Sequence, residues 1–141
     1  MDFENIDKTF STFRTDSEVS IFNQKHNSEE NYSEMFLEIW KICEQAKILT
    51  EGSFDPWYNW KYDPLGVIKG WAADRAVGFL KEFGATSIQV NAAGDISLFG
   101  GYPTDKGLMP WKIGIQDPEN RNQIVKVIEI HTGTKIGRAH V

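Results

Sequence analysis

One cysteine, Cys43, is all the chain has, so no internal disulfide can staple the fold, and the redox compartment stays open. Runs of Lys or Arg are missing as well. With 20 acidic residues against 15 basic ones and a net charge of -5, the sequence does not look like a general nucleic-acid binder. No apolar stretch approaches the roughly 20 residues that span a bilayer, and no signal-peptide pattern precedes the first helical one. Histidine is scarce too. His26 sits in a polar loop with no second ligand at metal-like spacing, His131 stands alone at a strand end, and His140 falls in the last six residues. There is no Ser/His/Asp set, no Cys/His cluster and no Walker loop, which leaves carboxylates, a few lysines, aromatic rings and glycine-rich turns to carry any chemistry.

What is present suits a folded domain. The 141 residues, 40% apolar and 25% charged, are enough for one ordinary core but not two comfortable ones. Phe3, Ile6 and Phe10 recur at helical spacing. Thr12 to Ser20 is a polar loop in which Asp16 and Ser17 are turn and N-cap residues and Glu18 closes a small hydrogen-bonded turn. Phe13 in that loop is expected to pack beneath the helix, as most large aromatics do; the other possibility is a wall for a ligand pocket. The clearest helix follows, capped by Ser33, with Phe36, Trp40, Cys43 and Ala46 on its apolar face. Cys43 on that face is expected to be a small buried hydrophobe. Gly52 is available for positive φ, and Asp55-Pro56 forces an extended exit.

The stretch Asp63-Pro64-Leu65-Gly66-Val67-Ile68-Lys69-Gly70 then leads into a helix expected over Trp71 to Phe83, with Gly84 as its C′ residue. Free N–H groups at a helix start, a favourable dipole end and one cation suit an anion such as a pyrophosphate, although many such junctions only turn the chain. Trp57, Tyr58, Trp60, Tyr62 and Trp71 cluster around it, either as a satellite core or as a wall for a flat ring. Glu51, Asp55, Asp63 and Asp95 sit in loops beside glycines, where carboxylates most often cap turns. Strands are expected at Ser87 to Val90, Ile96 to Phe99, Trp111 to Ile115 and Gln123 to Ile130, with Gly100 to Asp105 and Asp117 to Asn122 as loops. Helices followed by hairpin-linked strands predict an α+β fold, N-terminal helices packed on a mainly antiparallel sheet.

Five segments in this order closely resemble the ApbE family of FAD:protein FMN transferases: Ser11 to Ser20, Thr50 to Pro56, Asp63 to Asp74, Val90 to Ile96 and Pro110 to Pro118. The resemblance implies a Mg²⁺-dependent transfer of FMN from FAD to a Thr or Ser hydroxyl of an acceptor flavoprotein, with release of AMP. A relative that binds FAD, or splits it to FMN and AMP, without acting on protein is the alternative. By the same resemblance Phe13 stands where the family has an aromatic, usually Tyr, beside the flavin. Glu51, Gly52 and Ser53 match an FAD-contacting turn, Asp63 and Lys69 an FAD-binding pair, and Gly66 a position that lends a backbone carbonyl to the metal. The family's side-chain metal ligands, an Asp and a Thr, belong to its C-terminal half, which has no match in this stretch, and no catalytic residue is assigned. A long insert that the family often carries before Asp63 is reduced here to Trp57 to Tyr62, and the usual Gly-Gly-Asp is Ala93-Gly94-Asp95.

Both ends are expected to be cut. A helical pattern is already under way at Met1, and Ile136 to Val141 matches the translation of a common sequencing adapter. Residues 1–135 are therefore expected to be a partial domain and 136–141 a non-native tail. On that expectation the 141-residue chain alone is inactive. Relatives of this kind are commonly exported and lipid-anchored, so any membrane association is expected only through an N-terminal anchor outside this sequence.

Overall fold

The computed structural model describes residues 3–25, 31–92, 94–120, 122–135 and 139–140; His26, Ala93, Arg121 and Ile136 to Arg138 lie outside them. Two compact units emerge, residues 2–68 and 69–141. The fold is α+β and every strand pair is antiparallel, as expected.

The first unit holds α1 (Phe3–Phe10), α2 (Glu18–Gln24), α3 (Glu34–Leu49) and a hairpin of β1 (Trp57–Tyr58) and β2 (Lys61–Tyr62). The loop expected over Thr12 to Ser20 ends early, because Ser17 does act as an N-cap, accepting from the Ser20 N–H, and the helix it starts runs on to Gln24. Ser33 caps α3 as expected, accepting from the Phe36 N–H at 3.2 Å. Glu18 does more than close a local turn: its carboxylate accepts from the Ser33 N–H at 3.0 Å and so ties the start of α2 to the start of α3.

Aromatic rings make up the centre of this unit. Phe22 meets Phe36 at 5.6 Å, Trp40 at 5.4 Å, Tyr62 at 5.7 Å and Trp57 at 6.0 Å between ring centroids, and Trp40 meets Tyr62 at 4.8 Å. Phe36, Ile39 and Cys43 are buried beside them. For Trp57 and Tyr62 the satellite-core reading therefore holds, whereas Tyr58 and Trp60 remain exposed. The hairpin joins β1 to β2 through Asn59 and Trp60, both at positive φ (48° and 62°), which is the geometry of a two-residue type I′ turn.

Helix α4 (Leu65–Glu82) starts six residues earlier than expected. Asp63 accepts from the Leu65 N–H at 3.0 Å and the Pro64 carbonyl accepts from Val67 and Ile68, so the capping chemistry is complete before the two glycines. Neither glycine then breaks the helix: Gly70 is buried, and a Cβ on Gly66 would stand 3.1 Å from the Phe54 ring. The far end follows expectation. Gly84 at φ +84° donates to Lys81 O and Ala85 to Leu80 O, the paired bonds of a Schellman cap.

In the second unit, β3 (Ile88–Ala92), β4 (Asp95–Phe99) and β9 (Gly133–Lys135) form one sheet in the order β3-β4-β9. Strand β5 (Tyr102–Thr104) falls inside the loop expected over Gly100 to Asp105 and forms a hairpin with β6 (Gly107–Met109), which lies just beyond it. Strands β7 (Trp111–Gln116), β8 (Ile124–Ile130) and β10 (Ala139–His140) form another sheet in the order β10-β7-β8. The four expected strands are thus present but divided among small sheets, and Ala139–His140, set aside as tail in the sequence reading, pairs with Ile115 and Gly114. Ile96, Leu98, Trp111 and Ile113 form the buried cluster. Helix α4 lies against β4: Ser97 Oγ donates to Asp74 Oδ1 at 2.6 Å, and Lys81 Nζ sits 4.1 Å above the Phe99 ring. Outer strand β8 keeps Ile124, Val125 and Val127 more than half exposed. No helix among the described residues is long and apolar enough to cross a membrane.

Candidate functional site

The loop between α1 and α2 and the β1–β2 hairpin face each other across a cleft of about 540 Å³, within the range of small-molecule sites. Thr12, Phe13, Arg14 and Thr15 line it from the loop, Ser20 and Asn23 from α2, and Tyr58, Asn59, Lys61, Tyr62 and Asp63 from the hairpin and its exit. Two residues singled out in the sequence, Phe13 and Asp63, are therefore brought to one cleft from positions fifty apart in the chain (63 − 13).

Phe13 does not pack beneath a helix: it is 96% exposed. The cause is local. Ser17 Oγ shares its one proton between the carbonyls of Ser11 (2.7 Å) and Arg14 (3.1 Å), folding the loop into a tight turn that points Phe13 outward. Exposing a whole phenyl ring forgoes about 2 kcal/mol of burial, so an aromatic ring left on a cleft wall is a natural stacking face.

The charges of the cleft divide into engaged and available. Arg14 forks onto Asp16 (3.1 and 2.8 Å) and also reaches Asp7 at 3.5 Å. The guanidinium holds the Asp16 carboxyl below the usual carboxylate range, and Asp16 raises Arg14 in return. Lys61, by contrast, lines the cleft with no ion pair among the described residues. It is a cation that sequence reasoning missed, because a lysine within a six-residue aromatic stretch carries no motif. Asp63 spends Oδ1 on the Leu65 N–H, and its own N–H donates to Pro56 O at 2.7 Å.

Glu51, Gly52 and Ser53 lie elsewhere in the same unit, exposed on the turn that follows α3 and not on the cleft wall. The turn is tightly held. Glu51 donates to Ile48 O and Gly52 to Lys47 O, while Thr50 Oγ1 donates to Ala46 O and accepts from the Phe54 N–H. Both Glu51 (φ 52°) and Gly52 (φ 82°) are left-handed. For glutamate that conformation costs about 1 kcal/mol, a strain of the kind found at ligand-facing turns. The turn continues into Phe54, whose ring rests on Gly66. Lys47 pairs with Asp55 at 2.9 Å and pulls that carboxyl down.

Lys69 is exposed in the second turn of α4 and is not a wall of the cleft. Gly66 lies inside α4 and not in a loop ahead of it, so its carbonyl is among those that accept from the residue four positions on, leaving one lone pair. One backbone oxygen is not a metal site, and no group of three His, Cys, Asp or Glu side chains among the described residues can hold an ion. These residues do not by themselves fit a Mg²⁺ centre.

Comparison with known proteins gives the fold a precedent. The model of the ApbE family matches residues 1–60 and 58–136. Among solved structures, the apo flavinyl transferase ApbE of Pseudomonas stutzeri superposes with a TM-score of 0.73 at 23% identity, over 91% of this chain and 53% of that one. Flavin transferase ApbE of Vibrio cholerae gives a TM-score of 0.73 at 24% identity, over 93% of this chain and 58% of that one. No curated protein sequence matches. The chain spans a little over half the length of these structural neighbours.

Proposed function

Because the chain belongs to the ApbE family, we propose that it is part of a flavin transferase that moves FMN from FAD onto a Thr or Ser hydroxyl of an acceptor flavoprotein. The acceptor hydroxyl gives up its proton to solvent as its oxygen bonds to the phosphorus on the FMN side, the pyrophosphate P–O bond breaks, and AMP leaves with the bridging oxygen. Such transfers depend mainly on positioning and on charge placed around the phosphoryl oxygens. The observation that carries the reading is the cleft that gathers an outward Phe13, Asp63 and the available Lys61. In this reading Phe13 offers its face to the isoalloxazine, Asp63 accepts a ligand hydrogen bond through Oδ2, and Lys61 meets a phosphate.

The turn of Glu51, Gly52 and Ser53, whose N–H groups are all engaged within it, offers its exposed side chains and carbonyl oxygens to the same dinucleotide, and Lys69 adds charge from α4. Mg²⁺ enters through the family likeness, with the Gly66 carbonyl as one backbone donor; no step is assigned to the ion. The 141 residues supply part of the site and do not turn over alone. The test is direct. The full-length gene product, given FAD, Mg²⁺ and an acceptor, should yield covalently flavinylated acceptor and stoichiometric AMP. AMP without labelled acceptor would move the assignment to FAD hydrolysis, and FMN transfer by the 141-residue chain alone would overturn the claim that its site is partial.

A further inference from the structure

The carboxamide of Asn23 is bound twice to a single residue 39 positions away. Its oxygen accepts from the Tyr62 N–H at 2.7 Å, and its nitrogen donates to the Tyr62 carbonyl at 2.9 Å. Strand β2 has only two residues and pairs with β1, so Asn23 does for Tyr62 what another strand would do, using one side chain. The pairing demands a planar group with donor and acceptor side by side, at the reach of a single methylene. Aspartate lacks the donor, and glutamine is one carbon longer.

Tyr62 is a firm anchor for this clip. It is 1% exposed among Phe22, Phe36, Trp40 and Trp57. The residues on either side of it, Lys61 and Asp63, are the two charged groups of the hairpin side of the cleft, and Asn23 lines the same cleft. Fixing both backbone groups of Tyr62 fixes where the neighbouring Cα atoms stand and so where the cation and the carboxylate point. Asp63 is further constrained by its bonds to Pro56 O and the Leu65 N–H, which leaves its backbone little freedom once Tyr62 is set.

We propose that Asn23 is a positioning residue of the flavin-dinucleotide site: through Tyr62 it sets Asp63 and Lys61 against the ligand without touching the reacting atoms. This rests on the FAD reading of the cleft. The test combines two readouts on the chain and its variants. FAD affinity is measured by flavin fluorescence quenching for wild type, Asn23→Ala, Asp63→Asn and the double variant, and amide exchange is followed in the ligand-free chain. Asn23→Asp, nearly isosteric but setting an oxygen against the Tyr62 carbonyl, is run in parallel in case the alanine variant folds poorly.

The expected result is about a tenfold loss of FAD affinity for Asn23→Ala, the loss of roughly one or two net hydrogen bonds. In the Asp63→Asn background the further loss should be less than about twofold, the non-additivity of residues acting through one another. Amides of Tyr62 and Leu65 should exchange faster while those of β7 and β8 keep their protection. Losses that multiply, or an unchanged FAD affinity with loosened amides, would reduce Asn23 to a structural clip and overturn the inference. No FAD binding by wild type would remove the reading of the cleft and the inference with it. The exchange data would then still tell whether the clip itself exists.

Discussion

Replacing Trp60 by glycine should make the protein more stable, although it deletes one of the two tryptophans of the hairpin. Trp60 takes the second central position of the type I′ turn at φ 62°, where its Cβ crowds the following carbonyl. For a bulky L-residue that conformation costs about 1 to 2 kcal/mol, and glycine adopts it freely. The indole offers nothing in return, because the residue is 97% exposed. Against the relief stands the greater freedom that glycine gives the unfolded chain, worth about 0.5 to 1 kcal/mol. The net expectation is a gain between about 0 and 1.5 kcal/mol, whose middle corresponds to roughly 2 to 4 °C in Tm for a chain of this size. Urea and thermal unfolding of Trp60→Gly beside wild type read it directly, with Asn59→Gly as control. Asparagine already tolerates the left-handed region, so the control should gain only a few tenths of a kcal/mol. A lower midpoint for Trp60→Gly would mean that the indole packs in solution, and the strain argument would be wrong.

Asp63→Ala should lose the cap on the Leu65 N–H and cost about 1 kcal/mol in denaturant melts, whereas Asp63→Asn keeps an acceptor and should cost much less. Equal losses in the two variants would contradict the capping role. Tyr62 carries a buried hydroxyl with no hydrogen-bond partner among the described residues. Burial pushes its ionisation well above the usual tyrosine range, and the neighbouring Cys43 thiol, itself raised by burial, adds to that shift. Tyr62→Phe should therefore be neutral or stabilising by up to about 1 kcal/mol, and a clear drop in unfolding midpoint would reveal a partner for the hydroxyl. Cys43, fully buried, should resist Ellman's reagent until the protein unfolds; rapid labelling of folded protein would refute its place in the core. Asp16 and Asp55 ionise below their ordinary value of 3.8 in the folded state. A lowered folded pKa means a contribution present above the unfolded value and lost as pH falls through the folded one. Taking melts from about pH 6 to about pH 3, Asp16→Asn and Asp55→Asn should each lose less Tm than wild type, and parallel acid limbs would refute the pairing.

Periodicity made α3, the four longer strands and the Schellman glycine legible, because each is written in local residue chemistry. The start of α4 was not, since two glycines masked a cap that Asp63 and Pro64 had already built. Hairpin β1–β2 escaped because its turn is Asn-Trp and not the Asn-Gly that announces a type I′ turn. Phe13 misled for another reason: its exposure depends on bonds from Ser17 to two backbone carbonyls, and composition is blind to those. Motif order found Phe13 and Asp63, which share a cleft, but not Asn23 or Lys61. Their importance comes from a contact across 39 residues and from the lack of an ion partner among the described residues, properties that exist only once the chain is folded.

The outer strand β8 has a practical consequence. Its sequence Ile124 to Ile130 is rich in β-branched residues, Ile124, Val125 and Val127 are more than half exposed, and one edge carries no strand among the described residues. Lys126 and Glu129 interrupt the apolar row, as gatekeeping charges do at sheet edges. Two such charges in seven residues are a thin guard. Expressed by itself, the chain should have a colloidal limit set by this strand, with turbidity rising steeply with concentration. Adding a second lysine, at Val125 or Val127, is the change most able to raise that limit.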